Sequence, residues 1–119
     1  MDVDIRARHL ELRPAQRVLA EKRVASALDR FERRLRRVAV MIEDVNGPKG
    51  GADKRCLIRA TGERGFAVQA QATDTSIEAA VDRAAGAIGR NVSRAVERRR
   101  DFAARDRTSM AGEGRRKRR

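Results

Sequence analysis

The chain has 119 residues, which is enough for one domain with a single core, and its aromatic residues are three phenylalanines. It carries 29 Lys and Arg against 17 Asp and Glu, a formal net charge of +12, so we expect a polyanionic partner, nucleic acid before membrane. One cysteine and one histidine exclude a disulfide framework and a zinc site built within the chain. The sequence has no apolar signal core and no run near the ~18 apolar residues of a membrane span, so we expect a cytoplasmic protein.

A strand and an amphipathic helix are predicted first. Val3, Ile5 and Ala7 alternate with polar residues, which is the period of a half-buried strand. Pro14 suits the first turn of a helix that we expect to run to about Arg34. The apolar stripe of this helix consists of Ala20, Val24, Ala27, Leu28, Phe31 and Leu35, and its opposite side carries Lys22, Arg30, Arg33 and Arg37 with Arg23 beside them.

Three strands are predicted next, at 37–45, 54–61 and 66–72. Their inward residues are Val38, Val40, Ile42, then Cys56, Ile58, Ala60, then Phe66, Val68, Ala70 and Ala72. Cys56 is therefore interpreted as a small buried hydrophobic residue, not a nucleophile. Gln69, Gln71 and Thr73 lie on the other face, which we expect to be open to water.

The segment from Asn46 to Asp53 is rich in glycine and proline and predicts a long mobile hairpin loop. It is not interpreted as a phosphate-binding loop, because no Gly-Lys-Ser or Gly-Lys-Thr ending follows. Its role is left open.

The clearest periodicity runs from Thr75 to Arg100. Its buried stripe consists of Ile77, Ala80, Val81, Ala84, Ala85, Ile88, Val92, Ala95 and Val96, and Thr75 with Glu78 predicts a capping box. Arg83, Arg90 and Arg94 fall within roughly 40° of one another on the opposite side. Gly86 and Gly89 lie beside them, either as neutral drift or as a low surface that lets a bulky partner approach the backbone.

After Arg100 the periodicity is lost and the chain ends in a five-residue basic run. We therefore divide the chain into a domain, residues 1–100, and a basic, disordered tail, residues 101–119, that adds nonspecific attraction to nucleic acid. The element order is βαβββα, an α+β fold. Strands one and two should be parallel, the last three antiparallel, and both helices should cover one face of a four-stranded mixed sheet with their basic sides outward.

The stretches HLELRPAQRVLAEKRVASALDRF, RVAVMIEDVNGPKGGADKRC and DTSIEAAVDRAAGAIGRNVSRAVERR resemble the family of ribosome hibernation-promoting factors and ribosome-associated inhibitors, once called sigma-54 modulation proteins, in its short form. The resemblance covers roughly residues 1–100. It implies a fold similar to a double-stranded-RNA-binding domain. It also implies binding of ribosomal RNA in the mRNA and tRNA channel of the small subunit, with inhibition of translation in idle or stressed cells. We expect no counterpart of the second, dimerising domain that long members have.

Arg90 and Arg94 match basic positions of the family's last helix, and Lys22 and Arg23 match basic positions of its first. With the neighbouring cations, the predicted RNA-binding residues are Lys22, Arg23, Arg30, Arg33, Arg83, Arg90, Arg94 and Arg98. The alternative function is that of a general nucleic-acid-coating protein of the nucleoid. We expect no enzymatic activity, because a single histidine, a buried cysteine and no paired carboxylates offer little for catalysis. We also expect no metal, cofactor, small-molecule substrate or membrane partner.

Overall fold

The computed structural model describes the backbone of residues 1–45 and 52–113, and the side chains of these residues up to 103. The elements are β1 (Asp2–Arg8), α1 (Pro14–Leu28), β2 (Leu35–Asp44), β3 (Lys54–Gly62), β4 (Ala67–Asp74) and α2 (Ile77–Glu113). Strand β1 is parallel to β2, and β2, β3 and β4 follow as antiparallel neighbours in the order β1-β2-β3-β4. The predicted βαβββα order, the α+β class and the mixed four-stranded sheet are confirmed.

The core lies between one face of the sheet and the two helices, so the prediction that both helices cover the same face is confirmed. The inward residues of the two central strands are almost fully buried: Val38, Val40, Ile42, Cys56, Ile58 and Ala60. From the helices, Val24, Leu28, Val81, Ile88 and Val92 are each fully buried against them. The residues that alternate with the inward ones form the opposite side of the sheet, here called the bare sheet face. Gln69 and Gln71 are exposed there, as predicted.

The end of α1 differs from the prediction. The helix stops at Leu28, a short 3-10 helix follows at Asp29–Phe31, and β2 begins already at Leu35. Arg33 therefore lies in the turn between helix and strand. Arg37 lies on β2, opposite Asp2 of β1 and Thr61 of β3. The basic row of α1 is therefore shorter than predicted, since neither arginine continues it.

The start of α2 is capped by Ser76 and not by Thr75. The hydroxyl oxygen of Ser76 accepts the backbone N–H of the residue three positions later at 3.1 Å. Thr75 donates its backbone N–H to Asp74 Oδ1 at 2.7 Å, and this hydrogen bond is the main reason that the pKa of Asp74 is lowered. The carboxylate of Glu78 accepts from the amide of Gln16 at 3.4 Å. It thus connects the two helices instead of forming a capping box.

Helix α2 continues past Arg100 to Glu113. Residues 114–119 lie outside the described part of the chain, and the division into domain and tail stays a prediction. The predicted loop also falls largely outside it, at residues 46–51. Neither helix of the described chain combines the length and the hydropathy that a membrane span requires.

Candidate nucleic-acid interface

The two helices lie side by side and leave a groove between their outer surfaces, here called the α1–α2 groove. It has a volume of about 430 Å³. Its floor is made of small residues, Ala27, Gly86, Gly89 and Ser93, and three arginines rise around it, Arg30, Arg90 and Arg94. None of the residues that line it is acidic. The groove is therefore a shallow depression with positively charged walls, a shape that suits a phosphate backbone.

The two glycines of the groove, Gly86 and Gly89, have different structural roles. A Cβ atom at Gly89 would lie 3.2 Å from the carbonyl oxygen of Ala27, so Gly89 permits a close approach of α2 to α1. A Cβ atom at Gly86 would contact only the guanidinium of Arg90, at 3.4 Å. Gly86 therefore keeps the groove open without being required by helix packing. Of the two interpretations given from the sequence, the low surface agrees with the surroundings of Gly86, whereas packing against α1 explains Gly89.

The three groove arginines have few partners within the described protein. Arg30 donates to the hydroxyl of Ser93 at 3.4 Å, and its guanidinium carbon lies 4.9 Å from the ring centroid of Phe31. Arg94 donates to the amide oxygen of Asn91 at 3.3 Å. No hydrogen bond or ion pair is formed by Arg90 among the described residues. Because none of the three has a described carboxylate partner, their positive charge is available to an anion from outside.

Three more of the predicted site residues are exposed but do not line the groove. Arg23 pairs with Asp82 of α2 at 2.8 Å, and both side chains are 53% exposed. Arg83 donates to the carbonyl oxygen of Thr73 at 2.8 Å and therefore fixes the start of α2 to the end of β4. Lys22 is exposed on α1. None of these three cations lines the groove, and two of them already have structural contacts.

The structure separates the remaining two predicted residues from the groove. Arg33 lines a neighbouring cavity with four other arginines, because α1 ends before it. Arg98 is on the β4 side of α2, next to Phe102 and Asp101. Thus Arg30, Arg90 and Arg94 are brought together, and Arg98 is not part of the same surface. Arg34, Arg64, Arg99 and Arg100, which share the cavity with Arg33, were not predicted, because no local pattern connects these four positions.

The described side chains form no metal site, and the cysteine is not a reactive thiol. No group of three or more His, Cys, Asp and Glu among the side chains of residues 1–45 and 52–103 is arranged to hold a metal. Cys56 is fully buried, and burial raises the pKa of its thiol to about 12. A thiol in this environment is protonated at neutral pH and is a poor nucleophile. The interpretation of Cys56 as a buried hydrophobic residue is confirmed.

Comparison with known proteins identifies the family. Residues 3–100 match the family described as sigma 54 modulation protein / S30EA ribosomal protein, and the chain belongs to that family. It is a family of ribosome-associated factors and not an enzyme family. The matched residues include all three groove arginines. No curated protein matches the chain.

Two solved structures have a similar fold. A ribosomal subunit interface protein from Coxiella burnetii has a TM-score of 0.67 and 17% identity, and the match covers 82% of this chain and 99% of that one. The N-terminal domain of Protein Y from Thermus thermophilus has a TM-score of 0.63 and 26% identity, and the match covers 79% of this chain and 98% of that one. The first similarity shows the fold alone.

Proposed function

We propose that the protein binds the small ribosomal subunit through the α1–α2 groove, contacts ribosomal RNA there, occludes the mRNA and tRNA channel and so inhibits translation in idle or stressed cells. The observation that carries this proposal is the groove itself, in which Arg30, Arg90 and Arg94 surround a floor of small residues with no acidic residue in the lining. Membership of the S30EA family supports a ribosomal partner. The expected location is the cytoplasm, where ribosomes are.

Small groove residues and long cationic walls are suited to phosphate binding for two reasons. The absence of bulky side chains at Gly86 and Ser93 lets a backbone approach the helix surface, and guanidinium groups bind phosphate oxygens through paired N–H donors. Each neutralised phosphate adds about 0.7 to 0.9 to the slope of log affinity against log salt. Three arginine contacts therefore predict a slope of roughly 2 to 3 from the groove alone.

The test is co-sedimentation with purified small subunits over a series of salt concentrations, using Arg90→Glu with Arg94→Glu. This change replaces two attractions with two repulsions but removes no apolar atom from the core. Charge-assisted hydrogen bonds are worth about 1.5 to 3 kcal/mol each, so we expect at least about a 100-fold loss of affinity. The same variant should lose its inhibition of translation in a cell-free assay.

Glu97→Gln is the matched control, because Glu97 is exposed on α2 but does not line the groove. Thermal unfolding of all variants should show changes within about 0.5 kcal/mol per exposed substitution. A folded double variant that binds small subunits like the parent would contradict the site. Equal affinity of the parent for small subunits and for duplex DNA would instead favour a nucleic-acid-coating protein.

A further inference from the structure

A second concentration of arginines lies where the turn after α1, the turn between β3 and β4, and the later part of α2 meet. This arginine cluster lines a cavity of about 410 Å³ and consists of Arg33, Arg34, Arg64, Arg99 and Arg100. Phe66, Ala103 and one acidic residue, Glu63, complete the lining. Glu63 accepts a hydrogen bond from Arg36 at 2.9 Å, which lowers the pKa of Glu63. The single carboxylate of the lining is thus already paired.

The cluster is held in place by backbone contacts between distant segments. A Cβ atom at Gly62 would overlap the carbonyl oxygen of Arg34, so glycine allows the end of β3 to lie directly against the start of β2. Arg99 donates to the carbonyl oxygen of Arg64 at 3.3 Å, and its guanidinium carbon lies 5.3 Å from the ring centroid of Phe66. These contacts fix three separate segments around one cavity.

The turn between β3 and β4 has an uncommon backbone conformation. Arg64 has φ 57°, in the left-handed region that non-glycine residues seldom adopt, and Gly65 follows with φ 73°. Such a conformation costs of order 1 kcal/mol or more and persists only where the surroundings hold it. At this position it carries a guanidinium group to the rim of the cavity, beside the arginines of α2.

Within the described part of the chain, no carboxylate pairs with Arg33, Arg34, Arg64 or Arg100. Like charges gathered around one cavity repel one another, and the repulsion is unfavourable for the free protein. A polyanion that occupies the cavity would replace this repulsion with charge-assisted hydrogen bonds. The composition of the cavity therefore indicates a bound anion from outside the chain.

The cluster lies next to the α1–α2 groove, because neighbouring residues of the chain line the two cavities. Arg30 and Phe31 line the groove, and Arg33 and Arg34, which come next in the chain, line the cluster cavity. On α2 the groove ends at Arg94 and the cluster begins at Arg99. A rise of 1.5 Å per residue places residues 94 and 99 about 7.5 Å apart along the helix. A small anion would fill one cavity, whereas a phosphodiester chain can lie along both.

We propose that the arginine cluster is a second phosphate-contacting site, which binds the backbone of the same RNA that occupies the α1–α2 groove. This inference rests on the proposed function and extends the RNA-contacting surface to the far end of the domain. It assigns RNA contact to Arg64 and Arg100 and to their neighbours Arg34 and Arg99, in addition to Arg33.

The test uses Arg64→Gln with Arg100→Gln, because neither side chain lines the groove or forms a described ion pair. The control, Arg6→Gln with Arg59→Gln, makes the same change of net charge on the bare sheet face. Affinities for small subunits, for a 20-base-pair RNA duplex and for sodium tripolyphosphate are measured for parent and variants at several salt concentrations. We expect the cluster variant to bind subunits at least about tenfold more weakly, with a salt slope lower by about 1.4 to 1.8. The control should lose less than about threefold, since exposed charges act weakly at a distance.

Each other outcome is decisive. If the cluster variant and the control bind small subunits equally well, the second site is wrong. The proposed function would still stand if Arg90→Glu with Arg94→Glu lowers the affinity for small subunits. If the parent binds the duplex but not small subunits, the proposed function is wrong. The duplex affinities of the cluster variant and the control are then compared, and equal affinities would contradict the second site. A parent that binds neither RNA overturns both. Loss of tripolyphosphate binding alone, with both RNA affinities unchanged, would assign the cavity to free polyphosphates and overturn the RNA contact.

Discussion

Arginines are found on both the α1–α2 groove and the bare sheet face, but their surroundings differ. On the bare sheet face, Arg55 donates to the carboxylate of Glu43 at 2.6 Å, and Arg6 pairs with Asp4 at 2.9 Å. Glu43 is largely buried, and its pKa is lowered chiefly by the hydrogen bond from Arg55. On this face, therefore, part of the positive charge is neutralised within the protein.

In the groove, the arginines reach at most a hydroxyl or an amide among the described residues, and no acidic residue lines the depression. The number of basic residues therefore does not by itself identify a binding surface. What distinguishes the groove is that its guanidinium groups have no internal anion, so a bound phosphate does not have to displace one. The following predictions test this difference, from the largest expected effect to the smallest.

Gly86→Leu should block the groove without damaging the fold. A Cβ atom at this position meets only the flexible end of Arg90, and leucine is the better helix former by somewhat less than about 1 kcal/mol. Stability should therefore hold or rise slightly, while affinity for small subunits should fall at least about tenfold, because the side chain displaces the RNA backbone from the floor. Ala39→Leu, at an exposed position of β2 on the bare sheet face, is the matched control. If Gly86→Leu binds small subunits like the parent, the open floor of the groove does not contribute to binding.

Glu43→Gln should remove the ion pair between Glu43 and Arg55 on the bare sheet face. Because the pKa of Glu43 is lowered in the folded protein, its carboxylate contributes stability above the unfolded pKa, and this contribution is lost as the pH falls through the lowered value. The variant should be less stable at pH 7 by about 1 kcal/mol, and its stability should depend less on pH between about 5 and 2. Urea unfolding over a pH series measures both, with Glu97→Gln as control. An identical pH dependence in parent and variant would show that the ion pair with Arg55 does not contribute.

Removing Arg6 and Arg59 from the bare sheet face should have a small effect. Both arginines have partners on their own face, Asp4 at 2.9 Å and Gln69 at 3.4 Å, and exposed ion pairs are worth about 0 to 1 kcal/mol. Arg6→Gln with Arg59→Gln should lower subunit affinity by less than about threefold, whereas Arg30→Gln with Arg90→Gln, the same charge change in the groove, should lower it by about tenfold or more. Equal losses would show that net charge, not the groove, determines binding.

The smallest effect is expected from thiol labelling. Cys56 is fully buried on the helix-covered face with a pKa of about 12, so at pH 8 its thiolate fraction is about one in ten thousand. A maleimide should not label the native protein within the time that labels the unfolded chain completely. Arg59→Cys in a Cys56→Ala background places a thiol on the bare sheet face three residues away and should react at the rate of a free thiol. Rapid native labelling of Cys56 would contradict the burial of this face.

The sequence predicted the secondary-structure order and most of the core correctly, because both depend on local periodicity. The end of α1 was missed for a physical reason. Phe31 and Leu35 continue the helical spacing of Val24 and Leu28, yet the 3-10 turn and the first residue of β2 bury the same two side chains. Apolar spacing alone cannot distinguish these arrangements. The cap of α2 was displaced by one residue, since Asp74 accepts the N–H of Thr75 and leaves Ser76 to cap the helix.

For the candidate site, the sequence indicated Arg90 and Arg94 because both lie on the polar side of a long amphipathic helix. It also drew attention to Gly86. It could not show that Arg30 lies across from them, that Arg23 is paired with Asp82, or that Arg98 points to the other side of α2. The arginine cluster was beyond prediction, because it joins Arg34, Arg64 and Arg99 from segments far apart in the chain.

By itself, therefore, the sequence determined the order of helices and strands, the face that each element buries and the basic character of the protein. These properties follow from residue spacing and composition, which are local. Only the tertiary structure decided which arginines share a surface and which of them have a carboxylate neighbour. That decision depends on the crossing of α1 and α2, on the register of the sheet and on the turn at Arg64, because the electrostatic environment of a side chain is set by atoms that the fold brings to it from other elements.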